Sequence, residues 1–110
     1  MENAVVLITT TDDIDVAEAI AHDAVDRRLA ACVQIVGPIT SVYRWQGKIE
    51  TAKEFRCELK TTLQHVAELE SLIRELHTYD VPEIVVLAAT YVSADYGQWL
   101  NDQLAKEQES

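Results

Sequence analysis

Glycine and proline are scarce in this chain of 110 residues, with three of one and two of the other. That leaves no material for a glycine-rich phosphate loop or a proline-rich linker. The two cysteines, Cys32 and Cys57, stand far apart with no Cys-x-x-Cys spacing, so neither a disulfide framework nor a zinc knuckle is encoded. Basic residues are also few, 9 against 19 acidic, for a formal net charge of −10. A phosphate backbone would be repelled by that field unless a local basic strip overcame it, and the sequence has no such strip; nucleic acid is not expected as a partner. The apolar runs fall short of the roughly 18 residues that cross a bilayer. No basic segment followed by an apolar core opens the sequence. A cytoplasmic, reducing location without a membrane partner is therefore expected. A Ser-His-Asp spacing and a nucleophile beside an activating base are missing too, so the chain is not expected to be an enzyme and no catalytic residue is assigned.

What is present is apolar material, 48% of the residues, enough for a core without metal or disulfide support. No repeat or linker divides the sequence, and residues 1–110 are expected to be one domain. Ala4 to Thr9 reads as a central strand. Thr10-Thr11-Asp12-Asp13 offers caps for a helix that begins near Asp13, runs on Val16, Ala17, Ile20, Ala21, Ala24 and Val25, and ends around Leu29. Arg27 and Arg28 there complement the negative end of the helix dipole. Thr61-Thr62 caps a second helix carrying Leu63, Val66, Leu69, Ile73 and Leu76. Val81-Pro82 enforces an extended exit. Ile84 to Val92 reads as a strand buried on both faces, and Ser93 to Ala105 as an amphipathic helix joining Tyr96, Trp99, Leu100 and Leu104.

The stretch from Leu29 to Glu50 is a long extended arm. Cys32 to Val36 is apolar, Gly37-Pro38 marks a bend or bulge, and Ile39, Ser41, Tyr43 and Trp45 then alternate with Thr40, Val42, Arg44 and Gln46. Lys48 to Lys53 reads as the turn before a second limb. In that limb Phe55, Cys57 and Leu59 share one face, while Glu54, Arg56, Glu58 and Lys60 alternate in sign on the other. Such a hairpin is longer than most strands in a small domain, so part of it projects and leaves an unpaired edge that a second copy would pair with. Two helices over one face of the sheet leave the other open, carrying side chains such as Phe55 and Tyr43 and calling for partner subunits.

The order strand, helix, strand, strand, helix, strand plus a C-terminal helix is that of an α+β, ferredoxin-like βαββαβ sandwich with a long β-hairpin arm. Three blocks in this order, Arg28-Leu29-Ala30-Ala31-Cys32-Val33, Tyr43-Arg44-Trp45-Gln46-Gly47-Lys48-Ile49-Glu50 and His77-Thr78-Tyr79-Asp80-Val81-Pro82-Glu83-Ile84, resemble the CutA divalent-cation tolerance family. The closing Asp95-Tyr96-Gly97-Gln98-Trp99-Leu100 extends the resemblance over nearly the whole chain. It implies a homotrimer and a part in the tolerance of, or response to, divalent metal ions such as copper. The trimeric PII signalling proteins share that fold and symmetry, so a small-ligand sensor with a pocket between subunits is the alternative. Members of the family have been associated with copper through a cysteine closing the first strand and two adjacent histidines. Ile8 and Leu76 replace the cysteine and the first histidine here, leaving His77 as the metal candidate.

His77 with Tyr79, Asp80 and Glu83 forms the densest polar group after a helix end. It is expected to bind a divalent cation weakly, with copper as the named case and no obligatory cofactor, since one imidazole with carboxylates offers too few soft ligands. The bland reading makes His77 a helix-end residue favoured by the dipole. Trp45, Lys48, Glu50, Lys60, Tyr79 and Glu83 are expected to line a pocket between subunits, with Glu83 as the partner of Lys60. Against this, Tyr43 and Trp45 serve as interface anchors. An enzyme with His77 and Glu83 as acid and base is the third class considered. Both cysteines are expected buried and reduced, as small core hydrophobes.

Overall fold

The computed structural model describes residues 3–106. Four strands, β1 (Ala4–Thr11), β2 (Cys32–Trp45), β3 (Lys48–Thr62) and β4 (Val85–Ala88), form one antiparallel sheet in the order β2-β3-β1-β4. Helices α1 (Ile14–Asp26) and α2 (Val66–Leu76) cover one face, and α3 (Ala94–Gln103) follows β4. This is the ferredoxin-like arrangement expected from the element order.

Period-two alternation on β3 builds the core. Cys57 and Leu59 point to the helices, and the register sets them opposite Thr9 and Leu7. Ala17, Ile20 and Ala24 of α1 close on them together with Leu69, Leu72 and Ile73 of α2. The Asp13 carboxylate accepts from the Asp15 N–H at 2.8 Å and starts α1 where expected. The helix stops earlier than the predicted Leu29 because Arg28 takes a left-handed φ of 57°. The Leu29 N–H then bonds the Ala24 carbonyl at 2.9 Å and the Arg28 N–H that of Val25 at 3.1 Å, the pattern that closes a helix through a left-handed residue. The Arg28 guanidinium serves a different helix from the one predicted: it donates to the Gln103 carbonyl at 3.0 Å, at the end of α3. Leu100 and Leu104 pack with Ala31 beside that junction.

Several local expectations are corrected. Lys48 to Lys53 is not a turn. It is the first part of β3, paired with Thr40 to Trp45, and the turn is Gln46-Gly47 with φ of 49° and 80°, the two left-handed residues of a tight hairpin that follows strand twist. Thr61 and Thr62 stay in β3. The Thr61 hydroxyl donates to the Leu29 carbonyl at 2.7 Å, and Thr62 Oγ1 lies 2.8 Å from His65 Nδ1, so neither caps α2. The last strand is Val85–Ala88 only, and it is an edge rather than a doubly buried strand, with Val85 and Leu87 exposed. Phe55 lies on the helix side, packed against the core, not on the open face. Cys57 is buried as expected and Cys32 is not: it is half-buried opposite Lys60, whose neighbours in sequence, Leu59 and Thr61, point to the core. Both thiols are free.

Candidate functional site

The site begins at the bulge in β2. Pairing jumps from Val36 opposite Arg56 to Ile39 opposite Glu54, so Gly37 and Pro38 share the space beside Phe55. A Cβ on Gly37 would lie 2.7 Å from Phe55 Cδ1 and 3.0 Å from the Glu54 carbonyl oxygen, which is why glycine stands there. Beyond the bulge Ser41, Tyr43 and Trp45 share the face of Glu54, the open face of the sheet.

The segment after α2 folds back over this region because His77 ends the helix in an extended conformation. The Tyr79 N–H donates to His77 Nδ1 at 3.1 Å. Nδ1 is therefore the acceptor, and Nε2 carries the proton and donates to the Thr10 carbonyl at 2.7 Å. The imidazole packs against the Tyr79 ring with centroids 4.5 Å apart. Tyr79 in turn donates its hydroxyl to Glu54 Oε2 at 2.8 Å. Burial first, then the hydrogen bond and the charge of Glu54, push the Tyr79 phenol well above its ordinary value and keep it a donor. Glu54 itself is only 7% exposed.

Together these elements enclose a cleft of about 570 Å³. Strand β2 contributes Ser41, Val42, Tyr43 and Trp45, the loop Tyr79, Asp80, Val81 and Glu83, and the sheet floor Thr10 and Glu54. Of the predicted pocket residues, Trp45, Tyr79 and Glu83 are brought together. Lys48 and Glu50 sit beside the hairpin tip, opposite Trp45 and Tyr43 and exposed, and do not line the cleft. Lys60 is elsewhere: its Nζ lies 5.7 Å from the centre of the Tyr96 ring, beside a separate hollow of about 300 Å³. Within one chain Lys60 and Glu83 are not paired, because the register sets Lys60 opposite Val6 while the cleft begins at Thr10. His77 supports the loop and is not among the lining side chains, so acid–base work shared with Glu83 has no geometry here. Both of its ring nitrogens serve the backbone, and a metal on either would displace a hydrogen bond. Among the described residues no three His, Cys, Asp or Glu side chains are grouped to hold an ion.

Sequence reasoning missed Thr10, Ser41, Val42, Glu54 and Val81 as lining residues. Glu54 was legible in principle. Counted back from the turn at Gln46-Gly47, it falls on the same face as Tyr43 and Trp45.

A protein-family model described as CutA1 divalent ion tolerance protein matches residues 5–103. The divalent-cation tolerance protein CutA of Thermus thermophilus is 43% identical over 98 residues, covering 89% of this chain and 94% of its own. The crystal structure of CutA from Xylella fastidiosa superposes with a TM-score of 0.91 at 34% identity, over 94% of this chain and all of that one. A third relative, described as the periplasmic divalent cation tolerance protein CutA of Archaeoglobus fulgidus, reaches a TM-score of 0.88 at 31% identity, over 91% and 97% of the two chains.

Proposed function

The chain belongs to the CutA1 divalent ion tolerance protein family, and on that premise we propose that it works as a cytoplasmic homotrimer in the tolerance of, or response to, divalent metal ions, copper among them. It acts as a binding or scaffolding protein and not as a catalyst. The observation that carries this reading is the arm. Val42 is 66% exposed, Ile49 69%, Tyr43 45% and Trp45 47%, so the described residues of one chain leave much of this apolar surface open. An unpaired ladder edge beside exposed apolar side chains supports pairing with a second copy, which satisfies the N–H and C=O groups and covers apolar surface of the arm. Such a contact joins unlike surfaces and either closes into a ring or runs on as a fibre; the family membership supports a ring of three.

Sedimentation equilibrium at micromolar concentration is expected to give about three times the 12.3 kDa chain mass. Trp45→Asp should dissociate the assembly, while Glu18→Ala on α1 should leave it intact, since only the first puts a charge where an apolar anchor is desolvated. A monomer for the unmodified protein would overturn the reading. Metal contact by His77 is expected to be weak, because the imidazole already serves two backbone groups. Titration with Cu(II) should reveal no sub-micromolar site that His77→Ala abolishes. The cytoplasmic assignment is tested by fractionation, with release by osmotic shock as the contrary result.

The cleft favours a second reading, a sensor of small ligands comparable in fold and symmetry to the PII proteins. Its volume falls within the range of small-molecule sites, and its walls include Tyr43, Trp45 and Tyr79 beside a few polar groups. Saturable binding that perturbs Trp45 would favour it.

A further inference from the structure

Building on the small-ligand reading of the cleft, we infer that its occupant is an organic cation: an amine or quaternary ammonium group carried on an apolar body. The lining side chains include three carboxylates, Glu54, Asp80 and Glu83, and no lysine, arginine or histidine. Glu54 is the informative one. It is more than nine-tenths buried, yet among the described residues it has one hydrogen bond, from Tyr79 to Oε2, and no ion pair. A buried carboxylate normally has a cation or several donors around it, because losing water disfavours its charge. Here Oε1 has neither among the described residues, keeps contact with solvent rather than being sealed off, and belongs to a residue that borders the cleft. A cation entering the cleft would supply what is missing.

The walls narrow the class further. Tyr43, Trp45 and Tyr79 present three aromatic rings to the same space, and such rings attract ammonium groups through their negative faces, indole most strongly. A bare divalent ion fits poorly. It needs several ligands converging on one point, whereas the space of about 570 Å³ is that of a small organic molecule. Anionic ligands such as nucleotides or oxo acids would face three like charges inside a chain of net charge −10.

Three probes of one size separate charge from shape: 2-phenylethylamine, 2-phenylethanol and phenylacetate, titrated into the full chain while the Trp45 indole resonance is followed. The amine should shift that resonance and bind at least about tenfold more tightly than the alcohol, and phenylacetate should leave it unmoved. Glu54→Gln should weaken the amine by about tenfold and leave the alcohol unchanged, since it removes charge and keeps shape. Should that variant fold poorly, Glu83→Gln on the exposed rim carries the same comparison, with an expected loss of about threefold. Equal binding of alcohol and amine, preference for phenylacetate, or indifference of the amine to both substitutions would overturn the cation assignment and leave the pocket standing. Silence of Trp45 to all three probes would remove the pocket itself.

Discussion

The hairpin consists of two halves that share one ladder and differ in everything else. In its inner half, Phe55 to Thr62 of β3 alternate between the helix-packed core and the open face, and Cys57, Leu59 and Thr61 are fully buried. In its outer half, Lys48 to Lys53 and Thr40 to Trp45 stay paired antiparallel with the register shifted at the bulge, yet no helix covers either face and most side chains are exposed. Backbone pairing alone therefore does not separate core from arm. Burial does: the inner half gains by removing apolar surface from water, and the outer half leaves Val42, Tyr43, Trp45 and Ile49 for another molecule to cover.

Truncating one residue in each half is the sharpest way to break this comparison. Leu59→Ala should destabilise the fold by about 2 to 5 kcal/mol, since it removes a fully buried side chain and leaves a cavity beneath two helices. Ile49→Ala should cost less than about 1 kcal/mol in the isolated chain, because most of that side chain is already in water. Denaturant unfolding of both variants at one protomer concentration decides it. Equal losses would mean that the arm is as tightly packed as the core.

The two cysteines give the next largest contrast. Burial pushes the Cys57 thiol up to about 11 from 9.0, whereas Cys32 borders the open face. A raised folded pKa means that the neutral thiol is held in the folded state while the unfolded chain ionises. Its contribution is therefore complete below pH 9 and lost as the pH rises toward about 11. The loss should be on the order of 3 kcal/mol for a shift of this size. Comparing unfolding free energies at pH 8 and above pH 10, the fall should be smaller in Cys57→Ala than in the unmodified chain. A thiol reagent should also reach Cys32 well before Cys57 in the native protein.

How much of this was legible in the sequence follows the same division. The inner half announces itself, because burial on one face imposes the alternation Phe55, Cys57, Leu59 that sequence reading depends on. The outer half announces nothing. Lys48-Ile49-Glu50-Thr51-Ala52-Lys53 has no buried face and so reads as a turn, although it is strand. The error at β4 runs the opposite way. An apolar run from Ile84 suggests a doubly buried strand, but Val85 and Leu87 are edge residues left uncovered within the chain. The cleft was half legible. Trp45, Tyr79 and Glu83 come from the blocks that carry the family resemblance, and Glu54 was hidden by a misplaced turn.

The smallest effect is expected at the tip that joins the two halves of the ladder. Gln46 and Gly47 both have left-handed backbone angles, the geometry of a two-residue turn that matches the twist of the flanking strands. Gly47 adopts it without penalty, while Gln46 places a Cβ in a region that disfavours ordinary side chains. Asparagine tolerates that region better through local hydrogen bonding, so Gln46→Asn should stabilise the fold by about 0.5 kcal/mol. Gln46→Val, with a branched Cβ in the same conformation, should destabilise it by about 1 kcal/mol. Neither change touches the core or the cleft, and both residues beside the turn, Trp45 and Lys48, keep their pairing. A shift of the unfolding midpoint in these two directions at fixed protomer concentration would assign the effect to the turn. The reverse order would mean that the arm takes its shape from the chains it pairs with and that the tip angles are a consequence of that pairing.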